Sequence, residues 1–202
     1  EAVALSEIFA RNDHALSVNG EFPDAVELVN LGTSPLDLSG YGVTDDPEDP
    51  FKYTFPPGTT LGGSSFLVMY ADKGSDPARY LGFALGQNGG QVLVTYPDGT
   101  LADSLSFGLQ VPDLSLNRRS DGTWGLGQPT LGAPNQPLST GEPTSLLINE
   151  WLANPQFEAN DDFVELYNSS PAPVAIGGFY LSDQPVGDPK RHRISDLSFV
   201  AG

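Results

Sequence analysis

An antiparallel β-sandwich, spelled once in full and then begun again, is the fold this sequence predicts. Three observations carry that expectation. Short apolar runs bounded by Gly, Pro, Asp and Ser fill the chain, and long helix-forming stretches are missing. The 202 residues include 23 Gly and 18 Pro, rich in turn formers yet short of low complexity, while 39% hydrophobic content is enough for a buried core. The stretch "DAVELVN" (24–30) returns as "DFVELYN" (162–168), with five of seven letters kept.

The elements follow in order. "ALSEIFA" (4–10) is a short apolar strand. "DAVELVNLG" (24–32) alternates, sending Ala25, Glu27 and Val29 one way and Val26, Leu28 and Asn30 the other. "LDLSGYGVTDD" (36–46) sets Leu36, Leu38 and Gly40 on one face and then turns. "YTFPPGTTLGG" (53–63) turns at Pro-Pro-Gly. "SFLVMYA" (65–71) is a near-continuous apolar run, the pattern of a strand buried on both faces. "QVLVTY" and "LADSLSF" form a hairpin about Pro97-Asp98-Gly99, and "DLSLNRRSDGTW" (113–124) adds another strand and turn. About seven strands result, spaced as an antiparallel sandwich spaces them. "QPLSTGEPTS" (136–145) reads as an exposed linker, and "SLLINEWLANP" (145–155) starts a strand afresh.

The echo extends well beyond seven letters. Glu27 and Glu165 lie 138 residues apart, as do Asn30 and Asn168. The same offset sets Gly40 on Gly178 and Asp45 on Asp183. Upstream, Glu7 falls on Glu150 at offset 143, and downstream "FPPGTTLGG" falls on "ISDLSFVAG" at offset 139. A register held over some fifty residues with small loop changes is a repeat. The second copy then lacks counterparts for 64–124, and a half-sandwich leaves an apolar face and a sheet edge uncovered. Two readings follow: a fragment of a longer protein, or a half-domain completed by strand exchange with another chain.

The formal charge is −17, spread over both parts: 17 acidic against 6 basic side chains in 1–140, and 9 against 3 in 141–202. Such a surface repels nucleic acid and anionic lipid. With no cysteine, disulfides, thiolate catalysis and Cys-ligated zinc are excluded. No apolar run nears the roughly 20 residues that span a bilayer. Glu1 in place of an initiator Met suggests a removed leader or an excised piece.

The ordered motifs "INEWLANP", "DDFVELYNSS" and "VAIGGFYLSD" resemble the opening of a lamin tail domain. The first copy supplies the rest in order: "FPPGTTLGGSSFLVMYAD", "GGQVLVTYPDGTLADSLSF", "SLNRRSDGTW" and a closing "PTLGAPN" near the family's Thr-Pro-Gly-x-x-Asn end. Phe9, Val29 and Leu131 depart mildly from the common pattern. The resemblance implies a tandem immunoglobulin-like sandwich: 1–135 complete, 136–145 a Pro/Ser/Thr/Gly linker, 146–202 the front of a second, incomplete copy. It brings no catalytic residues and implies binding, tethering or structural work. No heptad run supports a lamin filament. Acidity, tandem copies and absent cysteine fit the family's bacterial and archaeal members, modules of secreted or surface proteins. The expectation is therefore a non-enzymatic, extracellular or cell-surface structural and adhesion module. Its partners would be proteins or cell surfaces, neighbouring copies of itself among them, without nucleic acid or a membrane span. Two further readings stand beside it: a substrate-binding accessory to a hydrolase elsewhere in the polypeptide, and a subunit assembled by strand exchange.

The family-pattern residues Glu7, Glu27, Asn30, Gly40, Asp45, Glu150, Glu165, Asn168, Gly178 and Asp183 read as structural. A glutamate between apolar neighbours must accept hydrogen bonds if buried. The competing reading of Glu27 and Glu165 is a calcium ligand, with Asp24 or Asp162 three residues before. "TDDPEDP" (44–50) gathers Asp45, Asp46, Glu48 and Asp49, the better calcium candidate and otherwise a solvated acidic loop. No other cofactor is suggested. Arg118-Arg119 suits an acidic ligand or covers apolar surface, and "KRHR" (190–193) suits an acidic neighbouring domain. Tyr41, Tyr80, Trp124 and Phe179 are candidates for stacking on sugars. Nucleophile-elbow, zinc-protease and phosphate-loop motifs are missing, and His14 and His192 do not match between copies.

Overall fold

The structure is a computed structural model of the chain. It describes residues 3–74, 76, 78–153 and 162–202. Asn154, Pro155 and Asp161, which belong to the repeated motifs, lie outside the described residues.

The first group of strands runs β1 (Val3–Phe9), β2 (Asp24–Asn30), β3 (Leu36–Asp37), β4 (Gly42–Thr44), β5 (Tyr53–Thr54), β6 (Thr60–Leu61), β7 (Phe66–Ala71), β8 (Gly90–Thr95), β9 (Leu101–Phe107), β10 (Ser115–Arg118), β11 (Trp124–Gln128) and β12 (Gln136–Pro137). Six of them pair antiparallel in the order β12-β11-β10-β1-β2-β7, and four in the order β5-β4-β8-β9. The two sheets form an immunoglobulin-like β-sandwich. Leu5, Ile8, Val26, Leu28, Met69, Leu116 and Leu126 of the larger sheet join one core with Val43, Val92, Val94, Leu105 and Phe107 of the smaller. Burying a Val or Leu side chain is worth about 1.5–3 kcal/mol, so this seam is the main source of stability.

The strands outnumber the seven expected because corners cut them short. "LDLSGYGVT" turns at Gly40, whose φ of +78° suits a residue without Cβ, and so splits into β3 and β4. The hairpin of β8 and β9 turns at Gly99 as its Pro-Asp-Gly predicts. One expectation is corrected: β7 is not buried on both faces but is the edge of the larger sheet. Phe66, Leu67, Val68 and Tyr70 are only half-buried, while Met69 and Ala71 are buried. Part of the edge is covered: the Tyr70 N–H donates to Arg79 O, and the Leu81 N–H to Tyr70 O. A continuous apolar run therefore meant one core face and one half-buried outer face. Gln136 and Pro137, expected in the linker, are exposed as expected but pair with β11.

A 3-10 turn (Pro143–Ser145) leads to a second group: β13 (Leu146–Leu152), β14 (Phe163–Asn168), β15 (Val174–Ala175), β16 (Tyr180–Leu181), β17 (His192–Arg193) and β18 (Phe199–Val200). Its ladders reproduce those of β1–β6. Glu150 pairs with Glu165 as Glu7 pairs with Glu27, and the register shifts just before Glu150 as it does before Glu7. Leu36↔Leu61 matches Val174↔Val200, and Gly42↔Thr54 matches Tyr180↔Arg193. Gly178 repeats the left-handed φ of Gly40 at +82°. Among the described residues, β13 and β14, unlike β1 and β2, pair only with each other. Ile148 is 61% and Trp151 70% exposed, where their counterparts Leu5 or Ile8 are sealed in the core.

The second group rests on the first through a small polar seam. The Phe199 N–H donates to Leu109 O (2.9 Å), and the Leu109 N–H to Ser198 Oγ (3.1 Å). Gln110 Nε2 donates to both Gly108 O and Leu197 O at 2.8 Å. The Phe199 ring is buried in the first group's core cluster.

Candidate functional site

The cross-strand pair Glu7 and Glu27 lies on the larger sheet, each with 0% exposure. A buried carboxylate needs donors, and residues 130–135 supply them. The Thr130 N–H donates to Glu7 Oε1 (3.0 Å) and its hydroxyl to Oε2 (2.9 Å). The Gly132 N–H donates to Glu27 Oε2 at 2.5 Å. Gly132 turns with φ +83°, which lets its N–H aim into the site. Asn135 Nδ2 donates to Ser6 O and Arg118 O, both at 2.9 Å, tying the loop to β1 and β10. The bulge before Glu7 frees Ser6, whose hydroxyl bonds Glu27.

Burial pushes the Glu27 carboxyl up to about 7, with the Glu7 charge adding to the rise and the bonds from Gly132 and Ser6 opposing it. Glu7 is raised for the same first reason, against bonds from Ser115 and Thr130. Among the described residues Glu27 Oε1 has no hydrogen-bond partner, which favours a proton on this pair. The arrangement is a carboxylate latch for the loop after β11. Both carboxyls are buried, and their contacts are hydrogen bonds within the fold.

Asn30 and Asn168, expected to be structural, are pins of the same design. Asn30 Nδ2 donates to Ser34 O, Leu61 O and Gly62 O, and its Oδ1 accepts from Gly32 N–H. Asn168 Nδ2 donates to Ala172 O and Ala201 O, and its Oδ1 accepts from Ser170 N–H. Asp45 pairs with Lys52 (2.6 Å) and Asp183 with Arg191 (2.5 Å), both across the β4–β5 type of turn. Glu150 and Glu165 are exposed, with Asn149 Nδ2 donating to Glu165 Oε1.

In the acidic loop, Asp46 Oδ1 accepts from the Glu48 N–H, while Asp45 is taken by Lys52. Among the described residues, no three His, Asp or Glu side chains gather as a metal site would require. Asp24 accepts from the Asn12 N–H, and burial raises its carboxyl to about 6. Arg118 pairs with Asp103 at 3.1 Å and sits 5.5 Å from the Trp124 ring centre. Arg118 and Arg119 overlook a groove of about 550 Å³ floored by Val29, Leu31 and Phe66. Of the basic run, Lys190 lies over Tyr180, Arg191 holds Asp183, and Arg193 holds Asp196. Tyr41 packs on Tyr96 and Tyr80 on Tyr70, while Phe179 is 40% exposed.

The sequence marks both glutamates but not their partners Ser6, Thr130 and Gly132, nor Asn135, which ties the same loop to β1 and β10. The available signal was "TLGAPN" itself: a hydroxyl and a glycine to satisfy two buried acids, and an amide to tie the loop down. One family model, described as Lamin Tail Domain, matches residues 1–108. No curated protein matches the chain.

Proposed function

Because this chain belongs to the lamin tail domain family, whose immunoglobulin-like domains are generally non-catalytic structural or interaction modules, we propose that it is a stiff tandem spacer and adhesion module of a larger secreted or cell-surface protein. In this reading residues 1–135 are one complete domain, 136–145 connect, and 146–202 are the front of a second. The observation that carries it is the seam at Leu109 and Phe199, where hydrogen bonds and a buried ring fasten the second strand group to the first. A fastened pair transmits force and fixes spacing, whereas a flexible tether does neither. The charge of −17 keeps such a surface well solvated and fits an extracellular setting.

The test is protease shaving of intact native cells, followed by mass spectrometry of the released peptides. Peptides from 1–202 released before lysis support the reading. Their appearance only after lysis, together with cytoplasmic proteins, rejects it.

A further inference from the structure

Of the four edges of the two main sheets, three are short or tied down. β12 and β5 are two residues long, and β12 ends on Pro137. β9 is tied to the larger sheet by Asp103, which accepts from the Leu5 N–H and pairs with Arg118. β7 is the exception: it is six residues long, and "FLVMYA" holds neither a charge nor a proline. Strand alternation fixes which of its backbone groups are spare. The Tyr70 N–H and C=O point away from β2, toward Arg79 and Leu81, while Ser65 O accepts from the Asn30 N–H on the side of β2. Phe66 and Val68 therefore present their N–H and C=O on the same side as Tyr70, where β7 has no partner strand among the described residues. Both ends of this window are closed. Arg79 and Leu81 take Tyr70, and Ser64 turns off at φ +54°, its N–H donating to Gly32 O.

We propose that a second copy of this chain docks on this edge, β7 against β7 about a twofold axis, joining the two larger sheets into one. The spare groups are self-complementary. An antiparallel register centred on Leu67 sets Phe66 opposite the partner's Val68 and Val68 opposite the partner's Phe66. Each of these residues then donates one hydrogen bond and accepts one, and no spare group in the window is left over. The side chains agree. Met69 and Ala71 are buried in the core, so Phe66 and Val68 face outward, and the register sets an aromatic ring beside a β-branched side chain on both sides of the axis. Val29 and Leu31, the latter 60% exposed, continue the apolar strip beside Phe66. The uncharged window gives an acidic or basic strand nothing to pair with, whereas a second copy matches it residue for residue. Because both ends are closed, pairing stops at the dimer. Repulsion between two chains of charge −17 opposes it, and salt screens that repulsion. The inference goes beyond the spacer reading and does not depend on it, since every residue involved lies in 1–135.

The test is sedimentation velocity of the 202-residue chain from micromolar to millimolar concentration, with amide hydrogen exchange on the same samples. A monomer–dimer equilibrium is expected, stronger at high salt than at low salt. The Phe66 and Val68 amides should become protected as the dimer forms, while those of Leu67 and Met69, on the side of β2, stay protected throughout. Val68→Pro deletes a donor that the monomer does not use and should weaken the dimer about tenfold or more. Leu67→Lys and Leu67→Glu each set like charges across the axis and should remain monomeric, and mixing the two variants should restore a dimer. That rescue separates loss of the interface from loss of the fold. A chain that stays monomeric at millimolar concentration overturns the proposal. So does association that grows past the dimer, that survives Val68→Pro and both Leu67 variants, or that leaves the Phe66 and Val68 amides unprotected.

Discussion

Replacing Glu27 by Gln should remove a specific dependence of stability on pH. In the fold the Glu27 carboxyl titrates at about 7, against an ordinary value of 4.5. Each pKa unit is worth about 1.36 kcal/mol, so ionising this group inside the fold costs about 3 kcal/mol. The sign follows from proton counting. Between 4.5 and 7 the folded state holds the proton and the unfolded state has lost it, so stability falls as pH rises through that window. The contribution is complete below 4.5 and gone above about 7. Gln keeps an oxygen for the Gly132 N–H, carries no charge and resembles the protonated acid in shape. Urea unfolding of both proteins across this range is the assay. Taking the difference between them cancels the general effect of net charge. The two should agree at low pH, and the variant should be more stable by up to about 3 kcal/mol near pH 8. Because Glu7 is coupled to Glu27, the transition belongs to the pair and is broader than a single titration. Parallel pH profiles, with a constant difference, would refute the reasoning.

Other substitutions probe separate parts of the account. Asn30→Ala removes three donated bonds from a buried site and should cost about 2–4 kcal/mol, read as a lower urea midpoint. Gly132→Val places a branched side chain at φ +83° and should release the loop, exposing 130–135 to proteolysis while the β8–β9 hairpin stays protected. Gly108→Ala sets a Cβ about 1.8 Å from Ser198 Oγ and should unseat the second strand group, with faster hydrogen exchange at the Phe199 amide and little change at Val26. Phe199→Ala should act the same way by emptying a ring's volume from the first core, a loss of about 3–5 kcal/mol shared between seam and core.

Much of the fold was legible because alternation and turn chemistry are local. "DAVELVN" revealed its strand by period, Pro97-Asp98-Gly99 revealed its hairpin, and the 138-residue offset predicted that the ladders of β13–β18 would match those of β1–β6. β7 was misread because an apolar run reports hydrophobicity on both faces without saying whether a second layer covers the outer one. The glutamates stood out as charges among apolar neighbours, yet their loop partners Thr130 and Gly132 lie more than a hundred residues away, beyond the reach of any local pattern. The seam was invisible for the same reason: nothing in "GLQ" (108–110) or "LSF" (197–199) announces that one receives the other.

The measurement that bears most directly on the stiff-spacer account is nitrogen-15 relaxation of the 202-residue chain in solution. The account predicts one rotational correlation time for the amides of both strand groups, with Leu109, Gln110 and Phe199 as ordered as β1. Two distinct correlation times, with fast exchange at the Phe199 amide, would contradict it.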